Sequence, residues 1–456
     1  MRSVALLTLF GLLVPAGGRA AVLTADQAVK LALQKNTSVI GAEASVLSAR
    51  SGLWSAYAEM VPNVSGTYDV RNTKLNPKGD LQTFQLGAQL LTFRTRSSEE
   101  TDRSPSLVGS WSILSLSNLS NFSSARNAMT GARLNRQATR NDIALEARRL
   151  FYGVVRAIKL SEVSNSALKL ARDDERRVRA LFEVGSVSKS DLLKARVRTA
   201  QSQLDSLVST NGIVSSRISL GTLVGVAETD LGDIDTTLVA EHHPVDAGSV
   251  LSEARAGRPD LLGAERNLKS AQAELNAARL TRFPSVNLSG SLDLSTIRSQ
   301  KASRDFFDST GTTFLRTLNQ DTRTTTDPSR TLALSLSVPI FDGFRTDARI
   351  AAARATLLRA RETRDALVRN LEGEVRLTVL GYQESVEREA LARRALESAA
   401  ENLNLVQQKY NVGSATILDL IDSQVQLQRA QSDLVSALAD IRVAEAAVDR
   451  VRGKGE

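Results

Sequence analysis

YNVGSATILDLIDSQ, residues 410 to 424, interrupts a long helical pattern with Gly413 and then places two carboxylates, Asp419 and Asp422, three residues apart. A near copy, FEVGSVSKSDLLKAR, stands at 182 to 196. Glycine adopts a left-handed turn cheaply, and a hydroxyl residue followed three places later by an acid is the mark of a helix start. Each stretch is therefore expected to be the tip of a helical hairpin. Gly185 and Gly413 end the rising helices, Ser188 and Thr416 cap the returning ones, and Asp191 and Asp419 lie one turn past the caps.

Outward from the tips the copying continues. Gly185, Asp191 and Val197 fall on Gly413, Asp419 and Val425 at an offset of 228 residues, as do Ala125-Arg126 on Ala353-Arg354. Nearer the start, VIGAEASVLSAR from 39 lines up with LLGAERNLKSAQ from 261 at an offset of 222. The chain reads as two duplicate halves, the second enlarged by VPIFDGF at 338 to 344. Expected boundaries are 1–20 for a leader, 21–230 for the first repeat, 231–250 for a linker and 251–456 for the second repeat.

Each half has the same order. A short helix opens the first, with Thr24 and Gln27 forming a capping box. A helix ending at Pro62 or Pro284 follows in each. Then come runs that alternate with period two, NVSGTYDV and SLVGSWSILSLS in the first half, SVNLSGSLDL and RTLALSLSV in the second, which is the pattern of half-exposed strands. Polar stretches at 75 to 104 and 298 to 328 are expected to lie between them. Long proline-free helical patterns cover about 121–182 and 346–410, and sixty helical residues reach about 90 Å. Beyond each tip the pattern is that of a coiled coil. Leu193, Val197, Ala200, Leu204, Leu207, Val214 and Ile218 form one seam, and Leu420, Leu427, Leu434, Ile441 and Val448 the other. Such seams ask for partner helices.

Composition bounds the function. The opening MRSVALLTLFGLLVPAGGRA has the layout of a secretory signal. No later stretch approaches the roughly 20 apolar residues of a spanning helix, so a membrane location must use strands. There is no cysteine among the 456 residues and hence no disulfide or thiolate metal site. A net charge of +8 arises from arginines interspersed with acids along helices, which argues for solvated faces rather than nucleic-acid binding. Phosphate-binding loops, dinucleotide fingerprints and nucleophile elbows are absent, and Ser186-x-x-Lys189 sits on a hairpin turn with no K-T-G to complete it. His242-His243 has no third ligand nearby in sequence, so the expectation is no enzyme, no cofactor and no metal.

Four strands per chain cannot close a barrel, and hydrocarbon tolerates no open sheet edge. Strands in lipid would require several copies to share one barrel. Most aromatics, among them Tyr68, Trp111, Phe283, Phe341 and Phe344, cluster in the strand regions, where interfacial girdles belong.

With its leader, duplicated halves, P-x-F-D-G before a long helix, and Y-x-V-G-x-x-x-I-x-D-L-x-D at the second tip, the chain resembles the TolC family of outer-membrane efflux and secretion ducts. The resemblance implies a homotrimer of mixed α and transmembrane β structure: a twelve-stranded barrel, four strands per chain, in the lipid of the Gram-negative outer membrane, continued by a long α-helical barrel through the periplasm. It implies a passive exit duct whose partners are a periplasmic adaptor and an inner-membrane RND or ABC pump. By motif, Tyr410, Asp419 and Asp422 take the places of the family's constricting tyrosine and ring carboxylates. Asp191 takes the place of the acid that bonds that tyrosine. Val184, Gly185, Ser186, Val412, Gly413 and Ser414 match the adaptor-gripping tips. Helix-start chemistry alone also accounts for Asp191 and Asp419. Ala415 stands where the family's prototype has a latching arginine, which implies weaker resting closure. The competing expectation is an exported soluble coiled-coil scaffold.

Overall fold

The structure is a computed structural model and describes residues 22–75, 80–86, 89–239 and 243–455. The expected leader at 1–20 and His242 lie outside the described residues. Eight helices and seven strands are described: α1 (Ala25–Lys35), α2 (Thr37–Ala58), β1 (Asn63–Leu75), β2 (Gln82–Leu86), β3 (Gln89–Leu114), α3 (Leu116–Glu183), α4 (Lys189–Val224), α5 (Ala247–Gly257), α6 (Pro259–Leu280), β4 (Ser285–Asp293), β5 (Thr296–Phe307), β6 (Phe314–Thr326), β7 (Ser329–Ser337), α7 (Arg345–Asn411) and α8 (Ile417–Arg452). The two hairpins match in length, 68 and 36 residues against 67 and 36. The segment 338–344 joins β7 to α7, whereas β3 passes into α3 across Ser115 alone.

The chain forms two compact units. One comprises Met1–Ser48, Thr130–Arg266 and Arg361–Glu456; the other comprises Ala49–Met129 and Asn267–Ala360. In the first unit, α1 starts at Thr24 with the expected capping box, its hydroxyl accepting from the Gln27 amide. The buried side of α1, Ala28, Val29, Ala32 and Leu33, packs with Phe151 and Val155 of α3 and Leu220 and Val224 of α4. A second core joins Val250 and Ala254 of α5 to Leu371, Val375 and Val379 of α7 and Val448 of α8. A third lies at the tips, where Val178, Leu192, Ala195, Ile417 and Leu420 come together. Burying side chains of this size from water contributes about 1.5–3 kcal/mol each.

The second unit carries one antiparallel sheet. β1 and β2 pair with one edge of β3, while β4 and β5 pair with the other, and β7 and β6 pair in turn with β4 and β5. Side by side the seven strands make four ranks: β1 with β2, β3 alone, β4 with β5, and β6 with β7. The polar stretches expected between strands are themselves largely strand, because β3, β5 and β6 run through them. Backbone ladders hold there without an apolar face, helped by cross-strand polar pairs such as Asn72 with Glu99 and Arg298 with Asp102.

Near the helices the sheet has two unlike faces. Register places Val64, Tyr68 and Val70 of β1, Leu107 and Trp111 of β3, Val286, Leu288 and Leu292 of β4, and Leu332, Leu334 and Leu336 of β7 on one face. The other face holds Ser65 and Thr67, Ser106 and Ser110, Asn287, Ser289 and Ser291, and Thr331 and Ser335. Leu332, Leu334 and Leu336 are 78, 68 and 67% exposed. Among the described residues both outer ranks end in free edges, so their ladder donors and acceptors face no further strand.

Candidate functional site

Both tips close by the same backbone device. The Ser186 amide donates to the Leu181 carbonyl at 2.8 Å and the Gly185 amide to that of Phe182 at 2.9 Å; in the second tip Ser414 donates to Lys409 at 2.9 Å and Gly413 to Tyr410 at 3.1 Å. This is the Schellman pattern with glycine in the left-handed position, φ 77° at Gly185 and 79° at Gly413. A Cβ on either glycine would meet nothing within 4 Å. Backbone conformation, and not crowding, is what demands glycine here.

The caps follow as the sequence requires. Ser188 accepts from the Asp191 amide and donates its hydroxyl to Asp191 Oδ2 at 2.7 Å, and Lys194 Nζ reaches Oδ1 at 3.3 Å. Thr416 and Asp419 make the reciprocal box: the Thr416 amide donates to Asp419 Oδ2 at 2.8 Å and the Asp419 amide to Thr416 Oγ1 at 3.2 Å. The Ser188 hydroxyl holds the Asp191 carboxyl below the usual carboxylate range, and the Thr416 hydroxyl does the same for Asp419. Asp422 is exposed on α8, and its side chain makes no hydrogen bond or ion pair with the described residues.

Tyr410 ends α7 half-buried against the tip core. Burial pushes its phenol pKa up, and the carboxylates of Asp174 and Asp191 push it further. The fold therefore gathers Tyr410, Asp191 and Asp419 at the tips and brings Tyr410 within electrostatic reach of Asp191. Val184 and Val412 stand 74 and 78% exposed on the turns, beside Ser186 and Ser414.

Two contacts escaped the sequence reading. Gln424 Nε2 donates to Asp174 Oδ2 at 2.6 Å, both side chains being buried, and Arg198 donates to Gln428 Oε1 at 2.7 Å. Gln424 and Gln428 stand one turn apart on α8, so a single stripe of the second hairpin grips α3 and α4 of the first. Burial pushes the Asp174 carboxyl up, against the opposing hydrogen bond from Gln424. The i, i+4 glutamines in DSQVQLQ were the available signal, but only packing reveals their partners.

Elsewhere, a cavity of about 470 Å³ is lined by Thr24, Arg148, Tyr152, Arg442, Glu445 and Asp449. No tip residue borders it. His243 uses its backbone, exchanging hydrogen bonds with the Tyr382 hydroxyl. No cluster of three metal-ligating side chains occurs among the described residues.

A family described as Outer membrane efflux protein matches residues 250–454. Nodulation protein T of Rhizobium leguminosarum bv. viciae is 24% identical over 61% of this chain and 54% of its own length. Outer membrane protein TolC of Escherichia coli K12 is 21% identical over 66% of this chain and 59% of its own. The chain thus spans a little over half the length of these relatives. The Campylobacter jejuni CmeC outer membrane channel superposes with a TM-score of 0.76 at 15% identity, covering 94% of this chain and 86% of that one. Residues 250–454 thus match the outer membrane efflux protein family, and the chain is similar in sequence to TolC and in fold to outer membrane channels. The relatives and solved structures it resembles are themselves outer membrane proteins and channels.

Proposed function

We propose that the chain is the exit duct of a tripartite efflux or type I secretion system, acting as a homotrimer and passing cargo without chemistry of its own. The sheet carries this reading. One face is leucine and valine, the other serine and threonine, and both outer ranks end in free edges. In lipid a sheet must close, because each unpaired backbone group costs several kcal/mol. Three copies of four ranks close into a twelve-stranded barrel with leucine toward lipid and hydroxyls toward a watery lumen. The exposed leucines weigh against a soluble scaffold.

The hairpins would continue the duct as a helical tube. Duplicated halves are supported by hairpins of nearly equal length and by tips that share their hydrogen bonds. At the tips Asp419 and Asp422 of three chains would ring the axis and attract cations, with Tyr410 narrowing it and Asp191 beside it. The adaptor would dock on Val184, Gly185 and Ser186 and on Val412, Gly413 and Ser414, and the RND or ABC pump behind it would supply the energy.

Planar-bilayer conductance of the purified protein tests the gate. Resting current is expected to be small, and Tyr410→Phe, which removes one hydroxyl, is expected to raise it severalfold. A current indifferent to that change removes Tyr410 from the gate. A protein that stays monomeric in water without detergent removes the duct altogether.

A further inference from the structure

The sheet carries a second feature at the end away from the helices. Phe84 of β2, Phe93 of β3 and Phe306 of β5 form a continuous row of rings, with centroids 5.7 Å apart at 80° for the first pair and 5.9 Å apart for the second. Phe93 faces Phe306 in register, and Phe306 faces Arg316 of β6. The row therefore crosses all four ranks. Arg304 lies over the Phe93 ring at 5.5 Å and donates to Gln320 at 3.0 Å, while its Nε is buried without a hydrogen-bond partner.

The face on which this row stands decides its meaning. On β3 the serine face runs from Ser106 through Ser104 and Asp102 to Glu100, and Arg298 of β5 joins it by ion pairs of 3.0 Å to Asp102 and 2.9 Å to Glu100. Alternation along β5 then carries the same face to Arg304 and Phe306. On β3 a register shift between Thr95 and Ser97 inserts one residue, which brings Phe93 onto that face as well. The aromatic row thus continues the hydroxyl face. Phe307 and Phe314, stacked at 6.0 Å, belong to the opposite one.

Three phenylalanines, with Leu91 and Leu318 beside them on the same face, depart from the serine and threonine that this face carries nearer the helices. Around the row, the described residues sharing its face in β2, β3, β5 and β6 include two arginines, Arg304 and Arg316, and no carboxylate until Glu100. Rings offer stacking surface to flat apolar molecules, and guanidinium groups offer charge and planar donors to anions.

We propose that this row is an exit filter: an inward aromatic and arginine girdle at the outer mouth of the lumen that binds aromatic anions as they leave. The proposal rests on the duct reading, which makes the hydroxyl face the lumen wall. Closure by three copies would turn the row into a ring, since it already reaches the outermost ranks. Aromatic anions would be retained and then released there, and organic cations would pass with less retardation.

The test is current block in planar bilayers by naphthalene-2-sulfonate, added to the compartment that faces the strand ends. Full-length protein is used, both unmodified and with the tip change Tyr410→Phe. Block is expected for the unmodified protein and should weaken about tenfold in Arg304→Gln and in Phe93→Leu with Phe306→Leu. Arg304→Gln keeps the rings and the leucines keep apolar bulk, so neither depends on a truncated core. Phe307→Ala, on the other face, should be blocked like the unmodified protein. Currents that naphthalene-2-sulfonate leaves untouched, or block equally strong in all variants, overturn the filter while leaving the duct standing. No current from either the unmodified or the Tyr410→Phe protein overturns the duct reading itself.

Discussion

Asp174 and Gln424 bind in a place where sequence offers an acid and an amide among many. Asp174 faces Gln424 and Tyr410 across the hairpin contact, with Asp173 and Arg177 beside it on α3. Burial raises its folded pKa above the ordinary 3.8. A raised folded value means that the stability contributed by protonation is fully present below 3.8 and is lost as pH rises through the raised value. The contact between hairpins is therefore expected to tighten in acid. Thermal unfolding in detergent at about pH 4 and about pH 7 should show Asp174→Asn abolishing part of the acid-side gain, since the amide cannot ionise. Gln424→Leu leaves the carboxylate buried without its donor and should cost about 1–3 kcal/mol near neutral pH. An Asp174→Asn protein with the unmodified pH profile would remove this group from the balance. The Gln424–Asp174 and Gln428–Arg198 contacts are polar fastenings between the two hairpins near the tips.

Among elements, those with a period were legible and those without were not. Helices α3 and α7 came within a few residues of their expected ends because proline-free periodicity, a left-handed glycine and a hydroxyl cap agree at each tip. The polar length of β3 was missed: from Ser97 to Arg103 both faces are polar, so alternation carries no signal and only the ladders with β1 and β5 make it strand. Asp191 and Asp419 were foreseen as helix-start acids, and the structure places both in that role. Asp422 has no such local duty, and the gate role proposed for it depends on assembly. The turn itself is open to test. A Cβ at 413 meets nothing within 4 Å, so the chief cost of Gly413→Val is the left-handed backbone, about 1–2 kcal/mol. A small drop in melting temperature with intact assembly but lost export is the expected outcome. Normal export would detach the Val412-Gly413-Ser414 turn from adaptor docking.

For the whole molecule, the two coiled-coil seams differ in a way that points to assembly. On α8, Leu420, Ile441 and Val448 are buried and Leu427 and Leu434 half-buried, so that seam finds its partners within the chain. On α4, Leu192 and Ala195 pack inward, while Leu193, Val197, Leu204, Leu207, Val214 and Ile218 remain exposed, Val197 by 70%. A stripe of that length, set at coiled-coil spacing, is complete only against another helix. The free edges of the sheet make the same demand in backbone terms. The two demands are separable, because one lies on α4 and the other in the strands. Leu204→Glu with Leu207→Glu places two charges in the seam, and burying an unpaired charge is costly enough to disfavour helix docking. If both interfaces join the same three copies, the double variant should lose heat-resistant trimers on gels while still partitioning with outer membranes, since its leucine-faced strands are untouched. Retained trimers of unmodified heat resistance would mean that the α4 seam meets something other than a second copy of this chain.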